Sequence, residues 1–208
     1  DTVTAEQFIS AVSDLEKQGM ERLVIDLRDN PGGVVTSCVE MAAYILPENQ
    51  HNGTILSTAT KTGQEERYYC QDGETRHEVR GTDTKDGEFP KTDDHELNVP
   101  IAVLINGQSA SAAEVFAGAL LDYGAATLVG TTSFGKGIVQ SLIPLTDGSA
   151  VKITTAHYYT PAGHDLHKKG LTPDVTVEQK LDEDLIGQYD VPLERDNQVQ
   201  AAIEVLEK

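Results

Sequence analysis

The 208-residue sequence has few basic residues, only two cysteines and no apolar run long enough to cross a membrane. Its 16 lysines and arginines are outnumbered by 34 aspartates and glutamates, which gives a net charge of -18. Such an acidic surface repels polyanions, so nucleic acid and anionic membranes are excluded as partners. Two cysteines are too few for a disulfide scaffold and have no zinc-ligand spacing, so Cys38 and Cys70 could pair or stay free.

The length of the chain suits a single domain, residues 1–208, with room for a real hydrophobic core. The sequence contains no signal peptide and begins with Asp1, not Met. We therefore expect a fragment of a longer protein, whose missing start would carry the targeting signal.

The segment 106–140 places a serine and a lysine where they can meet. Residues 112–121 predict a helix, because they are rich in Ala and Leu and contain no proline. Residues 126–129 predict a short buried strand. Ser111 then lies at the N-terminal end of the helix, and Lys136 lies in a turn between two glycines after the strand. A helix running back beneath a strand would bring the two side chains together.

Ser111 and the glycines around Lys136 can also be interpreted as purely structural. Ser111 to Glu114 fits a capping box, in which the serine side chain accepts from the third helical amide and Glu114 reaches back. The glycines around Lys136 are equally typical of an ordinary turn.

Two other catalytic motifs almost fit this segment, and both fail at one position. Gly130-x-x-x-x-Gly135-Lys136 approaches a phosphate-binding P-loop, but Gly137 stands where Ser or Thr would bind the metal. A β-branched run follows it where a helix is needed. Residues 107–111 approach a nucleophile elbow, but the last position is Ser instead of Gly.

The segment resembles the catalytic region of the C-terminal processing (tail-specific) proteases, which are serine peptidases with a Ser-Lys dyad. The matching positions are Asn106, Ser109-Ala110-Ser111, Glu114 and Phe134-Gly135-Lys136-Gly137-Ile138-Val139-Gln140. The resemblance implies that Ser111 is the nucleophile, Lys136 its general base and Gln140 the partner that positions the lysine.

A second match is the run Asp26-Leu27-Arg28-Asp29-Asn30-Pro31-Gly32-Gly33, which the sequence alone predicts to be a tight turn. It is similar to the family's Asp-Leu-Arg-x-Asn-Pro-Gly-Gly motif, which implies that Gly32 or Gly33 donates its amide to an oxyanion hole. The amide of Ala112, in the first turn of a helix, would be the second donor. For Arg28 and Asp26 we expect a structural role, through an ion pair or through turn hydrogen bonds.

The C-terminal third carries a third match, from Tyr158-Tyr159-Thr160-Pro161-Ala162-Gly163 to Gly170-Leu171-Thr172-Pro173-Asp174. It departs from the family at His164, where arginine is common.

The remaining pattern predicts alternating helices and strands. Amphipathic helices are expected at 1–18, capped by Thr4, at 35–46 and at 196–206. Their core-facing residues would be Phe8, Val12 and Leu15; Cys38, Met41, Ala42 and Ile45; and Val199, Ile203 and Leu206. Strands are expected at 23–25, 53–60, 65–71, 99–105, 141–145 and 150–159.

Two polar stretches interrupt this pattern. Residues 72–98 predict a surface loop or excursion, in which His77 and His95 would be solvated. Residues 182–192 predict an acidic linker before the last helix. We therefore expect residues 182–208 to form a C-terminal linker and helix.

The fold class is therefore α/β, and the resemblance implies a spiral core related to the crotonase and Clp-protease folds. It also implies a serine endopeptidase without cofactor or metal that cleaves polypeptides recognised through their C-termini. The PDZ domain usual in relatives is absent from these residues. The longer protein would act outside the cytoplasm, and self-association into homo-oligomers is compatible with this interpretation.

Three alternatives remain at this point. A Ser-His-Asp hydrolase would need His157, His164 or His167, none of which has a supporting spacing. A crotonase-like acyl-CoA enzyme would share the fold but has no use for a Ser-Lys pair. A catalytically idle scaffold would keep the fold alone.

Overall fold

The helices and strands follow each other in the order that the sequence pattern predicts, with three additional strands, β4, β5 and β10 below. The computed structural model describes residues 3–46, 53–71, 74–80, 87–91, 97–185 and 191–208. Its helices are α1 (Thr4–Lys17), α2 (Val35–Ile45), α3 (Ala112–Asp122) and α4 (Asn197–Leu206). Its strands are β1 (Leu23–Asp26), β2 (Gly53–Thr60), β3 (Glu65–Gln71), β4 (Glu74–Arg80), β5 (Gly87–Lys91), β6 (Ile101–Ile105), β7 (Thr127–Gly130), β8 (Ile138–Pro144), β9 (Ala150–Tyr159) and β10 (Val175–Thr176).

A parallel sheet with the strand order β1-β6-β7-β10 forms the centre of the fold. Every residue of β6 is buried, as expected for a parallel strand that is covered on both faces. Val103 and Ile105 belong to the main core with α2 and α3, whereas Ala102 and Leu104 pack against α4. The alternation of side chains along β6 thus divides the core into two layers.

The helix predictions are confirmed in position, but some of the predicted core residues are wrong. Along α1, Val12 is buried while Leu15 is 41% exposed, and Val3, not Thr4, occupies the N-cap. Along α4, Ile203 is exposed, and Ala202 takes its place in the core. The errors at Leu15 and Ile203 have one cause, because spacing fixes the direction of an apolar stripe but not its width.

An antiparallel sheet with the order β5-β4-β3-β2-β9-β8 contacts helices α2 and α3. The strands predicted at 65–71 and 150–159 are confirmed, and β8 pairs with β9 around a turn at Asp147 and Gly148. The loop prediction for 72–98 is wrong where the structure describes this segment, because β4 and β5 extend the sheet there.

The two histidines of that segment have different outcomes. His77 is not a solvated bystander, because its ring stacks on Tyr68 with 4.3 Å between ring centroids and an angle of 15° between the planes. His95 lies outside the described residues.

The structural role expected for Arg28 is confirmed, because Arg28 forms both an ion pair and a turn hydrogen bond with Asp26 and also ties β1 to α4. The Arg28 guanidinium contacts the Asp26 carboxylate at 2.6 Å and the Asp196 carboxylate at 2.8 Å, and it donates to Gln198 Oε1. Asp196 also accepts hydrogen bonds from the first amides of α4 as its N-cap. The C-terminal helix is therefore fixed against the sheet, while part of the linker before it, residues 186–190, lies outside the described residues.

In the described part of the chain, every helix is too short or too polar to cross a lipid bilayer.

Candidate active site

The three loops that carry the candidate residues meet at one edge of the parallel sheet. The Gly32–Gly33 turn follows β1, Ser111 follows β6, and the Lys136 loop follows β7. Because these strands are parallel, their carboxyl ends share an edge, where α/β proteins usually place their sites.

Ser111 has a strained backbone at the entrance to α3. Its φ is 58° and its ψ is -121°, in the region that glycine tolerates and other residues rarely adopt. The residue is only half-buried, so its side chain reaches the surface beside the helix. Strain of this kind persists where the surroundings impose it, and it is concentrated at functional sites.

Ser109, the other serine of the motif, has a structural environment. It is fully buried, and its hydroxyl donates to Leu27 O at 2.7 Å and accepts from Asn106 N–H at 2.9 Å. Its hydroxyl is therefore occupied by the protein itself and closed to solvent. The geometry thus separates a structural serine from an accessible one two residues later.

Glu114 connects the serine turn with the lysine loop. Its carboxylate is fully buried on α3. Oε2 accepts from the N–H groups of Ser111 at 2.9 Å and of Lys136 at 2.8 Å. Oε1 accepts from Gly135 N–H at 2.7 Å and from the Ser133 hydroxyl at 2.5 Å. Four donors and the positive end of the helix offset the cost of burying this charge.

This role of Glu114 goes beyond the capping box that the sequence predicts. The bond from Ser111 N–H to Glu114 is the reciprocal half of that motif. The bonds to residues 133–136 span more than 18 positions, so no local pattern reveals them. The available signal is an acidic residue in the first turn of a helix that is otherwise apolar as far as Asp122.

Ser133 also takes part in the site, although the sequence did not single it out. It is buried, and its hydroxyl both donates to Glu114 and accepts from Leu171 N–H at 2.7 Å. It therefore joins the lysine loop to the segment that follows β9.

The glycines on both sides of Lys136 are required by close packing. Gly135 has a φ of +84°, and its carbonyl accepts from Lys168 N–H at 2.8 Å. A Cβ on Gly137 would lie 2.3 Å from His167 N. The 166–170 segment thus lies directly on the backbone of the lysine loop, leaving no room for side chains at these two positions.

Lys136 itself is half-buried, and its ammonium has no hydrogen bond or ion pair with any described residue. Glu114 binds its backbone and not its charge. The structure records no hydrogen bond from Lys136 to the Ser111 hydroxyl or to Gln140. Gln140 is exposed on β8, just after an irregularity in its pairing with β9.

The Gly32–Gly33 turn packs directly against the serine turn. Gly32 has a φ of +88°, and a Cβ there would lie 2.5 Å from Ala110 O and 2.7 Å from Ala112 N. Ala110 N–H donates to Asn30 O at 3.0 Å, which joins the two loops. Only glycine fits at position 32, both for its conformation and for the space available.

The backbone N–H groups around Ser111 differ in whether they already donate a hydrogen bond. Gly32 N–H donates to Asn30 Oδ1 at 2.9 Å. By contrast, Gly33 N–H and Ala112 N–H donate to no protein group within the described ranges. Two unused donors therefore lie close to Ser111, one in the glycine turn and one at the first residue of α3, where they could bind an anion.

None of the histidines considered for a Ser-His-Asp triad forms a hydrogen bond with Ser111. His164 lies 3.5 Å from Asp122, at the opposite end of α3. His157 lies 3.8 Å from Asp165 and contacts the His167 ring edge to face. Among the residues with described positions, no three His, Cys, Asp or Glu side chains are arranged to hold a metal ion.

Comparison with known proteins identifies the class to which this site belongs. A family model described as peptidase family S41 matches residues 1–177. The chain therefore belongs to peptidase family S41, and its α/β fold class is confirmed by structural neighbours from that family.

Individual relatives agree with this assignment. The chain is 39% identical over 196 residues to a carboxyl-terminal-processing protease of Synechocystis, covering 94% of this chain and 39% of that protein. It is 36% identical over 176 residues to a carboxy-terminal processing protease of Bacillus subtilis, covering 85% and 32%. The solved photosystem II D1 C-terminal processing protease has a TM-score of 0.66 and 32% identity, covering 86% and 40%. The chain thus spans about two fifths or less of these relatives.

Proposed function

We propose that this chain is the catalytic core of a serine endopeptidase in which Ser111 attacks the peptide carbonyl and Lys136 acts as general base. A serine hydroxyl needs a base to remove its proton, and a lysine can do so only as the neutral amine. The absence of an ion-pair partner for Lys136 among the described residues supports this role, because a nearby carboxylate would stabilise the ammonium.

The observation that carries the proposal is the shared acceptor Glu114 Oε2. Ser111 N–H and Lys136 N–H both bind this one atom, so their nitrogens lie no further apart than the sum of the two bond lengths. The strained serine and the unpaired lysine are thus neighbours held by a buried group. In this proposal, the lysine side chain then brings its amine to the serine hydroxyl.

For the oxyanion hole we assign Gly33 N–H and Ala112 N–H. Gly32 remains the alternative, but its amide already donates to Asn30. When Ser111 Oγ attacks, the carbonyl oxygen becomes negative and these two amides stabilise it; one such donor is worth about 2.7–4 kcal/mol. The tetrahedral intermediate then expels the amine, which takes the proton from Lys136, and water hydrolyses the acyl-enzyme. Gln140 would orient the amine of Lys136 during these steps.

The relatives' names supply the wider proposal. Proteins named as carboxyl-terminal processing proteases suggest polypeptide substrates that are recognised near their C-termini. A PDZ domain elsewhere in the longer protein would bind those termini, and the protein would act outside the cytoplasm. Homo-oligomers and a spiral core of crotonase type are also part of this proposal.

The test is hydrolysis of an unstructured peptide by wild type and by two matched serine variants. Ser111→Ala should abolish cleavage, while losing at most about 0.5–2 kcal/mol of stability as a helix cap. Ser109→Ala should retain cleavage but lose about 1–3 kcal/mol, because its removal leaves the buried partners Leu27 O and Asn106 N–H unsatisfied. An active Ser111→Ala variant together with an inactive, folded Ser109→Ala variant would overturn the assignment.

A further inference from the structure

A cavity of about 250 Å³ opens beside the two unused amides. Gly33 and Ala112 both line it, so it shares a wall with the assigned oxyanion hole. Residues of helices α1, α2 and α3 line it together with the turn that follows β1. Its apolar lining consists of Leu27, Val34, Cys38, Met41, Ala113 and Phe116. We refer to it as the Cys38–Met41 cavity.

The polar groups of this cavity are few and uncharged. Thr4, Asn30 and Ser37 line it, and no acidic or basic side chain does so among the described residues. A charged side chain that entered would lose its hydration without gaining a partner, which is strongly unfavourable. An apolar side chain would exchange water for van der Waals contacts on several sides.

Cys38 behaves as part of the apolar wall. The residue is 5% exposed and free, and its thiol donates to Ala112 O at 3.2 Å. Burial raises the pKa of this thiol to about 12, so it is uncharged at neutral pH. A neutral cysteine packs as a small hydrophobic residue. Its bond to Ala112 O also links the cavity wall to the first turn of α3.

The chemistry of peptide cleavage determines which substrate residue meets this cavity. If Gly33 and Ala112 hold the carbonyl oxygen, the α-carbon attached to that carbonyl lies one bond away from the reacting carbon. Its side chain must therefore leave the backbone beside the same two amides. The cavity lined by both of them is the space that receives it.

We infer that the Cys38–Met41 cavity binds the side chain on the acyl side of the cleaved bond, and that Met41 and Cys38 make it select uncharged, extended apolar residues such as Leu, Met or Phe. This inference rests on the proposed function. An apolar cavity of about 150 Å³ can hold benzene, so one of about 250 Å³ has room for these side chains.

The test is a peptide series that differs only in the residue before the cleaved bond: Ala, Leu, Phe, Trp, Lys or Asp. For wild type, kcat/KM with Lys or Asp should fall at least about 100-fold below that with Leu. Met41→Ala and Cys38→Ala each enlarge the cavity from a different wall. Each variant should raise the kcat/KM for the Trp peptide relative to that for the Leu peptide by about 10-fold or more. This is the scale on which pockets discriminate by size.

Met20→Ala is the matched control, because Met20 and Met41 are the chain's two methionines and Met20 does not line the cavity. It should leave the Trp-to-Leu ratio unchanged. Efficient cleavage after Lys or Asp would overturn the inference. The inference would also be overturned if Met20→Ala, Met41→Ala and Cys38→Ala all had the same Trp-to-Leu ratio of kcat/KM.

A binding experiment separates this inference from the proposed function. The Ser111→Ala chain cannot form an acyl-enzyme, but it keeps the cavity, so fluorescence anisotropy can measure its Kd for the same peptides. The order should be Leu tighter than Ala, and Ala tighter than Lys, with Met41→Ala in this background shifting preference toward Trp. If wild type cleaves nothing yet the binding order appears, the cavity assignment stands and the proposed chemistry fails. If cleavage occurs without that order, the cavity assignment fails alone.

Discussion

The backbone amides of Ser111 and Lys136 donate to the same oxygen atom, Oε2 of Glu114. The two residues are 25 positions apart in sequence and belong to loops that follow different strands. A single buried carboxylate therefore determines how far the serine turn lies from the lysine loop. Any change in this carboxylate should affect activity and stability together.

Replacing Glu114 with glutamine tests this relationship, because the side chain keeps its shape but loses two acceptor sites. One end of the amide would present N–H groups to two donors, at a cost of about 1–3 kcal/mol for each unsatisfied donor. We expect Glu114→Gln to lower both the free energy of unfolding and kcat. Glu204→Gln, at an exposed position on α4, is the control and should change neither. Stable, fully active Glu114→Gln would mean that the shared oxygen does not hold the site.

Replacing Gly32 with alanine tests the contact between the glycine turn and the serine turn. Both Gly32 and Gly19 have φ values above +80°, so alanine is strained at either position, by about 1–2 kcal/mol. A Cβ at Gly19 meets nothing within 4 Å, whereas one at Gly32 would collide with Ala110 O and Ala112 N.

Chemical denaturation and peptide hydrolysis of these two variants should therefore give different results. We expect Gly19→Ala to lose only the stability due to strain, and Gly32→Ala to lose more stability and most activity. Equal behaviour of the two would contradict the packing described for the serine turn.

The buried thiol of Cys38 predicts a loss of stability in alkaline solution. Burial raises its pKa to about 12 from the ordinary 9.0, and Tyr158 is also raised to about 12, first by burial. Below pH 9 the folded and unfolded chains hold the same protons at these groups. Above it the unfolded chain releases protons first, so the free energy of unfolding falls by up to about 1.4 kcal/mol per pH unit for each group.

The measurement is urea denaturation of wild type and Cys38→Ala at intervals from pH 8 to pH 11. Between pH 9 and pH 10 the decline should be shallower for Cys38→Ala, because Tyr158 contributes only above pH 10. Parallel curves would show that the thiol titrates normally in the folded chain.

Gln140 provides a pH test of the general base. A carboxylate beside the amine would favour the ammonium, so Gln140→Glu should move the alkaline rise of kcat/KM to higher pH. The rate at neutral pH should fall as well. Gln140→Ala should lower the rate with less displacement of the profile, through lost orientation alone. If Gln140→Glu leaves the dependence of kcat/KM on pH unchanged, this residue does not contact Lys136.

Local sequence patterns were sufficient for the elements that carry the site. Helix α3 and strands β6 and β7 are mostly apolar and are bounded by turn residues, so their positions followed directly from the local sequence. Strand β4 was missed because its sequence, ETRHEVR, contains one apolar residue and shows no buried face. Its pairing with β3 is set by the neighbouring strand, which a local reading does not include.

The arrangement of the site could be predicted only in part. The family-like motifs indicated Ser111, Lys136 and the glycine turn, but they did not show what holds them together. Glu114 and Ser133 act through hydrogen bonds between segments about 20 residues apart, which depend on the tertiary fold. The distinction between Ser109 and Ser111 likewise came from burial, because the two residues are chemically identical.

The most direct test of the central claim is labelling with a fluorophosphonate, which reacts only with an activated serine. Wild type, Lys136→Met and the exposed control Lys152→Met should be incubated with the probe, and the labelled peptide identified by mass spectrometry. We predict one adduct on Ser111 in wild type and Lys152→Met, and none in folded Lys136→Met. Labelling of Lys136→Met at the wild-type rate, or an adduct on another serine, would contradict the Ser111–Lys136 dyad.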